Sequence, residues 1–138
     1  LKLPFISRGN KKKNKGDYEF SAENGFFSYK ISFKASSTLF FNLYNSFFAR
    51  KVKEVKGKDI KGVDEWSTDC KYLSSPQRWL LEKRLFKMLG MKKVFNDVRE
   101  ERPQFMVYKY HLNKFSYKKL SEKQYLLTAE IFGNCSGE

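Results

Sequence analysis

One histidine, two cysteines and a short acidic run are the residues of this chain whose types could do chemistry. To act as a base or to hold a metal, His111 needs an orienting carboxylate or further ligands. Its sequence neighbours are Tyr110, Asn113 and Lys114, so it reads as a structural residue at the end of a strand. Cys70 and Cys135 make neither a zinc set nor a disulfide framework, and read as free thiols in a reducing compartment. Asp59, Asp64, Glu65 and Asp69 invite a magnesium reading, but such chemistry needs carboxylates converging from fixed positions. These lie in a loop-like stretch without the alternation that would bring them together, and read as turn and helix-approach charges. Gly57-Lys58 lacks the glycine spacing and the following Ser or Thr of a phosphate loop. No catalytic, metal-binding or cofactor-binding residue is assigned, no cofactor is expected, and the chain reads as non-enzymatic.

Charge gives more direction. The 138 residues carry a net charge of +13 with a pI near 9.7, which suits a partner bearing phosphates. Arg8, Lys11, Lys12, Lys13 and Lys15 form a basic cluster in residues 1–16, where Pro4, Gly9 and Gly16 interrupt any regular pattern. That stretch reads as a flexible arm able to touch an anionic surface. No run of about 18 apolar residues occurs, so no membrane-spanning segment is expected within the chain. Nucleic acid is the alternative partner, bound by lysines on phosphates and aromatics on bases. Against it, the ordered glycine, aromatic and basic signature of sheet-type RNA binders is absent.

The elements that must position these residues start from the stretch 74–90. Ser74 or Ser75 can cap a helix there, Pro76 suits its first turn, and Gly90 suits its left-handed end. Leu81, Leu85, Met88 and Leu89 recur at helical spacing, with Trp79, Leu80 and Phe86 widening the stripe, and Arg78–Glu82 is spaced as an ion pair. Residues 17–34 read as a β-hairpin turning at Asn24-Gly25, with Phe27, Tyr29, Ile31 and Phe33 on its dry face. Residues 36–50 fit either a helix through Phe40, Leu43, Tyr44 and Phe47 or a strand through Leu39, Phe41, Leu43 and Phe47; weak helix propensity tips the reading to strand. A short strand is placed near 52–55, and two more at 92–99 and 104–112. A second helix is placed at 121–132, opened by Ser121 and Gln124 as a capping box, with Leu120 and Tyr125 as its staple.

One α+β domain is expected over 17–133: an antiparallel sheet of about five strands with two helices packed on one face, residues 1–16 as the arm and 134–138 as a tail. This order of elements resembles a group of uncharacterised bacterial proteins in which a membrane-spanning region precedes a small soluble α+β domain. The likeness rests on the basic lead 9–16, the hairpin 18–33, Asp64 to Trp66 before the helix 76–89, the strand pair 92–112 and the closing helix 121–132. The resemblance implies an interaction or accessory domain at the cytoplasmic face of a membrane, with the lysines at 11–15 beside the bilayer. A first residue of Leu fits a piece of a longer protein. The partner expected is an anionic membrane surface or another protein.

Overall fold

Asn24 and Gly25 set the first part of the fold. Both have positive φ, 55° and 83°, which is what a two-residue type I′ turn demands. They join strands β2 (Gly16–Glu23) and β3 (Phe26–Ser36), whose register runs from Glu23 opposite Phe26 to Gly16 opposite Phe33. The chain, a computed structural model, is described over residues 5–10, 16–48 and 65–137.

Around this hairpin the described residues form a wholly antiparallel, six-stranded sheet. Strand β1 (Phe5–Asn10) pairs with β2, β4 is Glu65–Asp69, β5 is Met106–Ser121 and β6 is Gln124–Ser136. The order across the sheet is β1-β2-β3-β6-β5-β4. Helix α1 (Ser37–Leu43) runs on into a π-helical turn, Tyr44–Phe48, and helices α2 (Ser75–Leu89) and α3 (Met91–Glu101) lie between β4 and β5 in the chain.

All three described helices cover the same side of the sheet. Tyr18 and Phe20, then Tyr29 and Ile31, then Leu127 and Ile131 are buried beneath them at alternate positions, as half-covered strands require. Phe95 of α3 meets Phe27 edge-on at 5.4 Å, Phe86 of α2 meets Tyr110 at 5.0 Å, and Phe40 of α1 stacks on Tyr125 at 3.8 Å with a 10° interplanar angle. Gly133 is fixed by this packing: a Cβ there would collide with the Lys109 carbonyl oxygen and the Phe27 ring.

Helix α2 has the ends its sequence specifies. Ser74 and Gln77 close a reciprocal capping box, and Gly90 ends the helix at φ 64°. Leu81, Leu85 and Leu89 are buried, but Trp79 and Leu80 are exposed, so the apolar stripe is narrower than the sequence suggests. The Glu82 carboxylate, expected to face Arg78, accepts the Leu112 N–H at 3.1 Å. That N–H lies where β5 slips register between Leu112 and Lys114, so the carboxylate ties the helix to the strand at a bulge.

Several expectations are corrected. Residues 91–101 are a helix, not a strand, because Met91, Val94, Phe95 and Val98 bury at i, i+3, i+4, i+7. The expected helix at 121–132 is replaced by β6, whose Tyr125, Leu127, Ala129 and Ile131 bury with period two. Ser121 serves a hairpin turn instead of a helix start: its Oγ accepts the Lys123 N–H at 3.3 Å, a local bond open to serine in either setting. Residues 37–48 are helical, since Ser36 caps Leu39 and only the helical set Phe40, Leu43 and Tyr44 buries together. Among the described residues the sheet thus has six strands and three helices above it, against about five and two. β1 falls within the expected arm and the end of β6 within the expected tail, because pairing with a neighbour overrides weak local preference. The strand expected near 52–55 lies outside the described residues.

Candidate interaction surfaces

Two surfaces remain once the core is accounted for, and they differ in charge. The first is the outer side of α2 and α3. Along α2, Trp79, Lys83 and Lys87 follow one another at four-residue spacing, with Leu80 and Arg84 on the adjacent stripe. Trp79 and Leu80 are 55% and 47% exposed. The Lys83 ammonium sits 4.1 Å from the centre of the Trp79 ring, a cation–π contact. Lys92, Lys93 and Arg99 of α3 are also exposed. Between residues 75 and 99 the acids are Glu82 and Asp97, both half-buried; the exposed Glu100 and Glu101 come only at the far end of α3. From Ser75 to Arg99 the helical pair therefore shows water cations and two large apolar side chains, with no exposed carboxylate among them.

The second surface is the side of the sheet that none of the described helices covers. Its described carboxylates are Asp17, Glu19, Glu23, Glu65, Asp69 and Glu130. Its lysines are Lys30, Lys34, Lys109, Lys114 and Lys118, so the two signs nearly cancel. Serine and threonine fill positions between them, with Ser21 and Ser28 hydroxyls 2.8 Å apart and Ser32 and Thr128 hydroxyls 2.9 Å apart. Phe26 and Phe132 stand out from this face at 63% and 41% exposure. They border a groove of about 520 Å³ lined also by Ser21, Glu23, Ser28, His111 and Asn134.

The sequence-level candidates fall mostly elsewhere. Lys11, Lys12, Lys13 and Lys15 lie outside the described residues, and Arg8 occupies a β1 position in register with Glu19. His111 is exposed within β5 rather than at its end, with its ring 6.4 Å from Phe132 and edge-on to it. Cys70 and Cys135 are buried and neither is in a disulfide. Burial, reinforced by Glu82 and Asp69 and opposed by Arg78, pushes the Cys70 thiol up to about 12. It is therefore protonated, and no nucleophile, at neutral pH. Burial also raises the Tyr29 hydroxyl well above the usual tyrosine range, with Tyr18 and Asp97 adding to it. Of the acidic run, Asp59 and Asp64 lie outside the described residues, and among the described residues no three His, Cys, Asp or Glu side chains converge as a metal site would require. The outer side of α2 is the site that sequence reasoning misses; its signal is the basic spacing at 83, 84 and 87 beside Trp79 and Leu80.

In comparisons with known proteins, no family model, no curated protein and no solved structure matches the chain.

Proposed function

We propose that this chain is a non-enzymatic interaction domain that docks peripherally on an anionic membrane surface, at its cytoplasmic face, through the outer side of α2. The observation that carries this reading is the exposed Trp79 and Leu80 set among Lys83, Arg84 and Lys87. A tryptophan and a leucine can enter the headgroup boundary while the cations meet lipid phosphates. Among the described residues no helix is long and apolar enough to cross a membrane, so α2 would lie on the surface. Lys11, Lys12, Lys13 and Lys15 would add to the same attraction, and the resemblance to membrane-anchored proteins fits such a setting.

Nucleic acid is supported less well. Leu80 offers a base no ring to stack on, and Lys83 already sits over the Trp79 ring. The sheet face that a sheet-type RNA binder would use is nearly charge-neutral.

Cosedimentation with vesicles tests the reading. Phosphatidylserine vesicles should bind the protein and pure phosphatidylcholine vesicles should not. Each basic residue near an anionic leaflet is worth about 1 kcal/mol, so Lys83→Ala, Arg84→Ala and Lys87→Ala together should weaken binding roughly a hundredfold. Equal affinity for both vesicle types would refute it. So would a single-stranded oligonucleotide that binds more tightly than the vesicles and is lost with the same three substitutions.

A further inference from the structure

The side of the sheet opposite the described helices carries an ordered charge pattern. Following the register across the four inner strands gives Glu19, Lys30, Glu130 and Lys114 in one row. The sign alternates at every step. A row of this kind has a symmetry property: turned end for end, it becomes its own complement. In a sheet ordered β1-β2-β3-β6-β5-β4, the middle of the row falls between β3 and β6.

We infer that this face is the interface of a homodimer, with the occupant a second copy of the chain, related by a two-fold axis parallel to the strands and running between β3 and β6. Such an axis keeps each residue's height along the strands and exchanges β3 with β6 and β2 with β5. Lys30 then meets Glu130 of the second copy, and Glu130 meets its Lys30. Glu19 meets Lys114 of the second copy. Two rows along the same face, Glu23, Phe26, Asn134 and Lys109 are aligned, and Glu23 meets Lys109. An interface about a two-fold axis is isologous, so each of these pairs occurs twice.

Three further observations support this occupant. The chain has a net charge of +13, so two copies repel unless they meet through a region of balanced charge, and this face is one. The same balance makes it a poor surface for a polyanion. Phe132 aligns with Ser28 in register, so the two-fold axis sets Phe132 of one copy over Ser28 of the other, on the lining of the roughly 520 Å³ groove. A large exposed side chain therefore meets a hollow. Six strands at about 4.8 Å spacing and about eight residues at 3.3 Å rise give roughly 750 Å² a side, close to the ~800 Å² of a standard stable interface. Aligned sheets pack face to face in this way at about 30°.

Lateral pairing alone would explain alternating charges on a solvated sheet face. It does not explain Phe26 and Phe132 on that face, and it makes a different prediction. Sedimentation velocity of the wild-type chain at roughly 5–200 µM and low salt should show a dimer that weakens as salt rises. Lys30→Glu sets two like-charged pairs against each other, as does Glu130→Lys, and each variant alone should dimerise at least roughly a hundredfold more weakly. Mixed one to one, the two variants should recover a dimer within about tenfold of wild type, because the carboxylate introduced at position 30 of one then meets the ammonium introduced at position 130 of the other. Phe132→Ser, at an exposed position, should weaken the dimer while leaving the thermal melt of the dilute, monomeric chain unchanged. A wild-type chain that is monomeric across the range, or folded single variants whose mixture stays monomeric, would overturn the proposal. A monomeric wild type would leave the groove to a different occupant.

Discussion

Cys70 shows how one side chain's surroundings set its chemistry. It is buried in the short turn Cys70–Tyr72 that leads into α2, and the negative charges of Glu82 and Asp69 add to the effect of burial. The folded thiol keeps its proton to about pH 12, whereas the unfolded thiol loses it near its ordinary value of 9.0. Between those values the unfolded chain binds fewer protons than the folded one, so this thiol's contribution to stability is fully present below pH 9 and falls as pH rises. Tyr29 acts in the same direction above the ordinary tyrosine value. The urea midpoint of the wild type should therefore lose its advantage over Cys70→Ala as pH rises from about 9 to 11. A difference constant across that range would rule out the linkage. At this scale the sequence is legible where a residue's role is local. Asn24-Gly25 and the Ser74 cap act within a few residues of themselves. Ser121 misleads because its hydroxyl can serve a helix start or a hairpin turn equally well. Glu82 misleads because its partner, the Leu112 N–H, comes from a strand far along the chain.

Among the elements, α1 depends most on the rest of the fold. Its sequence is rich in aromatics with weak helix propensity, and alone it would not hold a helix. What fixes it is Phe40, fully enclosed and stacked on Tyr125 at 3.8 Å with Tyr117 at 4.7 Å. Phe40→Ala should cost about 3–5 kcal/mol in a chemical melt, and should loosen residues 37–48 more than the β5–β6 hairpin by hydrogen exchange. A loss below about 1 kcal/mol would mean that the helix is held by something else. The same dependence explains which elements are legible. The β2–β3 hairpin and α2 combine a clear period with a clear stop signal. Residues 37–48, 91–101 and 124–136 have apolar residues that satisfy two periods over a short window, and the choice is made by what they pack against. The outer side of α2 can be read in part, since Lys83, Arg84 and Lys87 are spaced for it. That Trp79 and Leu80 are not core residues requires the packed structure.

For the whole molecule, the two proposed surfaces lie on opposite sides of the sheet. If two copies meet through their open sheet faces, their helical layers point outward in opposite directions. The dimer would then present two separate membrane-docking sides, and it should cluster phosphatidylserine vesicles, seen as rising turbidity at low protein-to-lipid ratio. The one-to-one mixture of Lys30→Glu and Glu130→Lys should cluster them, and either variant alone should only bind. Clustering by a single variant would uncouple the two surfaces. None of this layout is legible in the net charge, which sums over both sides. It follows from the register, which sorts the acids Asp17, Glu19 and Glu23 onto one side, and from the helices, which take the exposed cations from Lys83 to Arg99 to the other. That sorting has an electrical consequence of its own. In a single copy the centre of positive charge of the described residues is displaced from the centre of mass along the sheet normal. The described residues thus contribute a dipole moment along the sheet normal. Near a negatively charged plane that contribution exerts a torque within about a Debye length, roughly 8–10 Å, and its sense favours the helices facing the plane before any side chain makes contact.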